Sequence, residues 1–291
     1  MLTLQDTVPF STTEFKTRKF GIEVEVENFN LNLEEVPTKY WNATSDSSLK
    51  VHGVEFVSRI LKYEDIPEAL NVLFSVKDFA SKKATFGPRT SIHIHSDATW
   101  MNSMQQVVPL IFVYLLAEDL MYAFVEPHRR KNIFCVKTKE TTYLRNVFNA
   151  GDLTPNNTYK YAGFNLASLF QHGTVEFRML EGTYDTEKIL KWIKFIDAFQ
   201  QYARTMPGGL DFKREVKIPE YATEVIKSVF SDDFYESQID QSIASGIEYF
   251  RYLVAPGLSS KQHNYFLENS DEFYKSAFYV KNFVRPSKIG A

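Results

Sequence analysis

Residues His172-Gly-Thr-Val-Glu-Phe-Arg-Met-Leu-Glu-Gly-Thr183 alternate apolar and ionisable side chains with the period of a β-strand. Successive side chains of an extended chain point to opposite faces. Val175, Phe177 and Met179 therefore share one face, and Thr174, Glu176 and Arg178 share the other. Two further stretches repeat the design. In Phe20-Gly-Ile-Glu-Val-Glu-Val-Glu27, Ile22, Val24 and Val26 alternate with Glu23, Glu25 and Glu27. In Arg89-Thr-Ser-Ile-His-Ile-His-Ser-Asp97, Ile92 and Ile94 alternate with His93, His95 and Asp97. Three such strands in one sheet present carboxylates, imidazoles and a guanidinium on one polar surface. That inventory suits divalent metals and phosphoryl groups.

The chain around these strands reads as helices interleaved with hairpins. The segment from Tyr40 through Asp46 and Leu49 to Val51-His-Gly-Val-Glu-Phe-Val-Ser58 predicts two short strands joined near Gly53. Asp65 to Phe79 has helical spacing, with Ile66, Leu70, Leu73, Val76 and Phe79 on one stripe. Asn102 or Ser103 can cap a helix running to Phe124, with Pro109 as a kink or in its first turn. Residues 137–158 are polar and turn-rich, and read as a long loop or lid. A strand at 159–168 is expected to pair with 173–181 across Gln171-His-Gly173, followed by a helix from Thr186 to Arg204. The predicted class is α+β, an antiparallel sheet with helices on one face. Met206-Pro-Gly-Gly209 is the expected boundary between a catalytic domain, 1–205, and a helical, aromatic-rich extension, 206–291. The extension includes Tyr265, Phe266, Phe273, Tyr274 and Phe278.

Composition narrows the function classes. The 291 residues include 25 phenylalanines and 16 tyrosines, enough large apolar side chains for a substantial core. With 33 Lys+Arg against 36 Asp+Glu, charge balance calls for neither nucleic acid nor an anionic membrane as partner. The single cysteine, Cys135, rules out an intrachain disulfide and a cysteine-rich zinc site, and its apolar neighbours mark it as a packing residue. The first residues lack the pattern of a secretory signal. The longest apolar run, Val107 to Ala117, is too short to span a bilayer and holds Pro109. A cytoplasmic location is expected.

Each candidate residue has a plain reading beside the functional one. Glu23, Glu25 and Glu27 fit a solvated strand face, but like charges repel there and a cation between them relieves the repulsion. His93 and His95 fit structural histidines or ligands to a divalent ion. Glu55, in the apolar Val54-Glu-Phe-Val57, is either solvated or paired. Asp46 sits in Ser45-Asp-Ser-Ser48, which is also a good turn. Glu176 and Arg178 fit a surface ion pair, or a metal ligand beside a phosphate-binding guanidinium. Arg129, Arg130 and Lys131 fit a helix C-terminal cluster, or a grip on nucleotide phosphates. No glycine-rich phosphate loop is present, so an ATP user built on this chain holds phosphates through metals and arginines.

Taken in order, these segments resemble the amidoligase family, carboxylate–amine ligases related to glutamine synthetase and glutamate–cysteine ligase. The resemblance rests on Gly21-Ile-Glu-Val-Glu25, Asp46 to Ser58, Ser91-Ile-His-Ile-His95, Tyr161-Ala-Gly-Phe-Asn-Leu166, and Thr174-Val-Glu-Phe-Arg178 with Gly182-Thr183, and covers residues 19–205. It implies a glutamine-synthetase-like fold: a curved antiparallel half-barrel with helices on the convex face. The concave face would hold ATP, two or three Mg²⁺ or Mn²⁺ ions, and the acceptor acid. By the same analogy Glu25, Asp46 and Glu55 hold one metal, and Glu23, Glu176 and one of His93 or His95 hold another. Arg178 contacts the transferring phosphoryl. The reaction implied joins a small-molecule or peptide carboxylate to an amine through an acyl phosphate, with the acidic rim attracting the cationic amine. Family members are often carried by bacteriophages, which would place the chain in the host cytoplasm. Two other readings use the same residues: a metal-dependent hydrolase or nuclease that needs no nucleotide, and a catalytically inactive binding scaffold.

Overall fold

The computed structural model describes residues 18–30, 32–101, 104–150, 161–205 and 220–254. Within them the alternating stretches become neighbouring strands. The strands are β1 (Lys19–Val26), β2 (Trp41–Ser45), β3 (Val54–Ser58), β4 (Leu61–Lys62), β5 (Ser91–Asp97), β6 (Phe164–Asn165) and β7 (Thr174–Glu181). They form one seven-stranded sheet in the order β2-β3-β1-β5-β7-β6, with β4 paired to the start of β1. Every strand pairing in it is antiparallel, and the sheet does not close.

The helices are α1 (Ile66–Phe74), α2 (Lys77–Ala80), α3 (Met104–Phe124), α4 (Tyr143–Ala150), α5 (Ser168–His172), α6 (Thr186–Thr205), α7 (Glu220–Phe230) and α8 (Glu236–Val254). The α+β class is as expected. Period-two alternation gives the sheet an apolar face built from Ile22, Val24, Phe56, Ile92, Ile94 and Phe177, all fully buried. Tyr114 of α3 stacks on Phe164 of β6 with ring centroids 4.2 Å apart, and meets Phe177 of β7 edge-on at 6.2 Å. Helix α3 is thereby seated on the sheet.

Helix α3 differs from the sequence expectation. Within it Gln106–Phe124 is long and apolar enough to cross a membrane, longer than the apolar run first marked out. Its side chains are buried inside the protein, because α6, α7 and α8 pack around it. A helix apolar on every side is one that is covered on every side. Pro109 lies in its second turn. Close packing against α8 depends on Gly246, where a Cβ would come within 2.4 Å of the Leu115 carbonyl oxygen. Phe250 of α8 meets Phe112 of α3 edge-on at 4.8 Å. Helices α7 and α8 thus contribute to the same hydrophobic core as the sheet. The boundary expected at Met206–Gly209 and the aromatic residues from Tyr265 to Phe278 lie outside the described residues.

Other corrections are local. The helix expected over 65–79 is two helices, broken at Ser75-Val76, where Ser75 Oγ donates to the Val72 carbonyl and Val76 is extended. The break swings Phe79 against Phe29, Phe56 and Phe74. Of the strand expected over 159–168, the described residues from 161 hold Phe164–Asn165, and the turn that follows holds helix α5, capped by Gly173 in the left-handed conformation (φ 66°). The supposed loop from 137 begins as packed structure. Buried Glu118 of α3 accepts hydrogen bonds from the Thr138 N–H at 2.5 Å, the Lys139 N–H at 3.2 Å and Tyr114 Oη at 2.7 Å. Helix α4 follows with Tyr143, Leu144 and Val147 buried. Residues 151–160 of that stretch lie outside the described residues.

Candidate active site

Antiparallel register carries the ionisable residues into adjacent rows on the face opposite the helices. Glu23 is the cross-strand partner of His93, Glu25 of Glu55, His95 of Glu176, and Glu176 of Asn165. The β5–β7 register shifts between Ile92 and Ile94, so that Arg178 and Met179 together oppose His93. A bulge of this kind re-aims a side chain. Here it accompanies Arg178, whose Nη1 donates to Glu176 Oε1. Arg129 is fully buried beside the irregularity and donates from Nε to the Met179 carbonyl at 3.2 Å and from Nη2 to the Arg178 carbonyl at 2.8 Å.

Hydrogen bonds join these side chains in two groups, which meet where His93 Nδ1 comes within 3.5 Å of Glu176 Oε1. Glu23 Oε2 lies 2.8 Å from His93 Nδ1, and its Oε1 lies 3.1 Å from His95 Nε2. Ser91 Oγ donates to Glu25 Oε2 at 2.5 Å and sits 2.8 Å from His93 Nε2. Asn165 Nδ2 donates to Glu176 Oε2 at 2.7 Å, and Thr174 Oγ1 is 2.9 Å from His95 Nδ1. Arg178 Nε is buried with no hydrogen-bond partner among the described residues. A buried donor so placed is one for which the described residues supply no acceptor.

These contacts set the charges. Burial would raise the Glu23 carboxyl, but hydrogen bonds with His93 and His95, and their positive charge, hold it far below the carboxylate range. Burial likewise opposes ionisation of Glu176, and Arg178, His93 and His95 outweigh it and keep that carboxyl low. Burial also works against the cationic form of His95, yet its hydrogen bond to Glu23 and the charges of Glu176 and Glu23 raise it. Glu55 goes the other way. Burial first, then the negative charge of Glu23, with Glu25 and Asp46 adding to it, push it up to about 7 against the pull of His93.

The donor set fits divalent cations. Three groups each bring one ligand atom per residue within 4.8 Å of the others: Glu23, Glu55 and His93; Glu23, His95 and Glu176; and Glu25, Asp46 and Glu55. Carboxylate oxygens suit Mg²⁺ and Mn²⁺, and an imidazole beside them is a ligand for Mn²⁺ or Zn²⁺. The structure therefore brings together Glu23, Glu25, Asp46, Glu55, His93, His95 and Glu176, with Arg178 against them. Glu27 is apart, accepting from the Lys50 N–H at 2.7 Å. Arg129 and Arg130 are also apart. Arg130 donates to the Val125 and Ala123 carbonyls at the end of α3, as the helix C-terminal reading of this cluster expects, and Arg129 holds the Met179 and Arg178 carbonyls of β7. Ser91 and Thr174 were not marked out in the sequence, although each shares the strand phase of a neighbouring candidate, His93 and Glu176.

No curated protein matches the chain. A family model described as "Putative amidoligase enzyme" matches residues 34–200, more than half of the chain. The matched span holds Asp46, Glu55, His93, His95, Glu176 and Arg178, while Glu23 and Glu25 come from β1 before it and enter the site through the sheet. The chain belongs to this amidoligase family, which supports a ligase-type activity.

Proposed function

We propose that the protein is an ATP-dependent carboxylate–amine ligase working through an acyl phosphate with divalent metals. The observation that carries this reading is the meeting of two carboxylate–imidazole groups and one all-carboxylate group with Arg178 on one face of an amidoligase sheet. The unclosed antiparallel sheet is compatible with the half-barrel of glutamine synthetase and glutamate–cysteine ligase.

A carboxylate is a poor acyl donor because attack on it must expel oxide. In the proposed reaction its oxygen attacks the γ-phosphorus of ATP, the β–γ bridging bond breaks and ADP leaves. The amine nitrogen then attacks the acyl carbon, and inorganic phosphate leaves with the electrons of the C–O bond. Glu25, Asp46 and Glu55 would hold one cation, and Glu23, Glu176 and His95 another; bound metals neutralise the polyphosphate and align it for in-line transfer. Arg178 offers its unpartnered Nε to the transferring phosphoryl, with Glu176 and Asn165 fixing the guanidinium and its carboxylate partner. A Glu55 carboxylate not committed to the cation, its carboxyl pushed up to about 7, would take the proton that the ammonium must lose before its nitrogen attacks.

Hydroxylamine trapping tests the reading. With ATP, Mg²⁺ or Mn²⁺ and a carboxylate panel, a hydroxamate and stoichiometric ADP should form, and Glu176→Gln should abolish both. Metal-dependent cleavage of esters, amides or nucleic acid without nucleotide consumption would instead favour a hydrolase. Metal binding with no turnover that responds to Glu176→Gln would favour a scaffold.

A further inference from the structure

Arg129 is fully buried, and among the described residues its guanidinium pairs with no carboxylate and leaves Nη1 without a partner. A buried cation without a counter-ion is costly, so the contacts it does make need a reason. It stands on the 3-10 turn Pro127–Arg129 that follows α3. Its N–H donates to the Glu126 carbonyl at 2.9 Å, and its carbonyl accepts from the Asn132 N–H at 3.3 Å and from Cys135 Sγ at 3.4 Å. The side chain thus leaves a fixed base.

It reaches β7 where the register against β5 shifts. In a regular strand consecutive carbonyls point to opposite neighbours, so one planar group cannot take both. Arg129 takes two in a row: Nε donates to the Met179 carbonyl at 3.2 Å and Nη2 to the Arg178 carbonyl at 2.8 Å. These N–H groups lie parallel on one edge of a guanidinium, so both carbonyls face that edge. That is the backbone of the bulge in which Arg178 and Met179 together oppose His93. Strand β6 starts only at Phe164, opposite Phe177, and does not cover these carbonyls. The Gly163 carbonyl accepts from the Arg178 N–H at 2.9 Å, and the chain before Phe164 pairs with Val136 instead of continuing along β7.

We infer that Arg129 is a positioning residue: its fork locks the β7 bulge and so fixes the main-chain origin from which the Arg178 side chain reaches into the site. Without the fork the bulge is free to move along the strand, and a slip of one residue turns Arg178 to the opposite face. Arg178 would then leave the Glu176 carboxylate it now holds. Lysine is no substitute, since an ammonium is a point charge without two parallel donors. The consequence for phosphoryl contact rests on the ligase reading; the hold on Arg178 does not.

Heteronuclear NMR of arginine side chains in the full chain tests it, on Arg129→Lys and on Arg129→Met, which removes the fork without leaving a buried charge. Circular dichroism melts identify which variants are folded. The Arg178 Nε–H signal, identified by its loss in Arg178→Ala, should shift or broaden in both. Gly246→Ala, a packing change between α3 and α8, should leave that signal in place even though it lowers stability. Binding of a non-hydrolysable ATP analogue with Mn²⁺ is the second readout. Either Arg129 variant should weaken it about tenfold, as Arg178→Ala does, and weaken it no further when combined with Arg178→Ala. An Arg178 signal unmoved in whichever Arg129 variant folds, or a further loss of binding in the double variant, would overturn the assignment. A wild-type protein that binds no nucleotide would instead sink the ligase reading, with the Arg178 signal still deciding the positioning.

Discussion

Glu25 and Glu55 face one another as direct cross-strand partners of β1 and β3. Like charges so placed are destabilising unless a proton or a cation lies between them. Burial first, then the charge of Glu23, with Glu25 and Asp46 adding to it, push Glu55 up to about 7 from its ordinary 4.5. The sign follows. A carboxyl raised on folding makes the metal-free protein lose stability as pH rises from about 4.5 through about 7. A metal binding there competes with that proton. Mn²⁺ affinity should therefore rise about tenfold between pH ~6 and ~8, and Glu55→Gln should flatten the dependence. Calorimetric titration at the two pH values checks this.

Glu176 and Arg178 share burial, so their removal has unequal structural effects. Glu176→Gln keeps one acceptor oxygen for Arg178 but turns an NH2 group toward the Asn165 donor. It should lower the melting temperature by a few degrees while lowering turnover about a hundredfold or more. Arg178→Ala leaves the Glu176 carboxylate buried without its guanidinium, which should cost about 3 kcal/mol in the metal-free protein as well as abolishing turnover. Urea unfolding beside activity separates the two effects.

How much of this was legible in the sequence depends on what each signal measures. Alternation around Glu23, Glu25, His93, His95 and Glu176 reports the strand face directly, so the sheet and the cluster on it could be anticipated. The same rule did not reveal the shift in the β5–β7 register, because a bulge changes pairing without changing composition. It also hid Ser91, an ordinary strand residue until Glu25 and His93 close on it. Arg130 behaves as the helix C-terminal cluster read from the sequence, but the reach of Arg129 to the β7 carbonyls was hidden, because sequence cannot show main chain arriving from another element. Glu118 carried a signal that went unused: a carboxylate in the midst of the α3 apolar run needs partners, and the chain after 137 supplies them.

Glu118 should therefore matter to stability rather than chemistry. Replacing it by Leu leaves the Thr138 and Lys139 N–H groups without acceptors and Tyr114 Oη with only its 3.4 Å contact to Thr138 Oγ1. A loss of about 3 kcal/mol is expected, read as a lower urea midpoint with an unchanged slope.

Helix α8 offers a packing test independent of the site. Gly246→Ala places a methyl within 2.4 Å of the Leu115 carbonyl oxygen. It should destabilise by about 1–3 kcal/mol as the helices part, despite the better helix propensity of alanine. Thermal unfolding followed by circular dichroism reads the sign.

The most direct test of the central claim is calorimetric binding of a non-hydrolysable ATP analogue, with and without Mg²⁺ or Mn²⁺, to the wild-type protein and to Arg178→Ala. The ligase account predicts binding that requires the metal and weakens at least about tenfold in Arg178→Ala, the loss of a charge-assisted phosphate contact. Metal binding with no nucleotide binding, or nucleotide binding indifferent to Arg178, would contradict it.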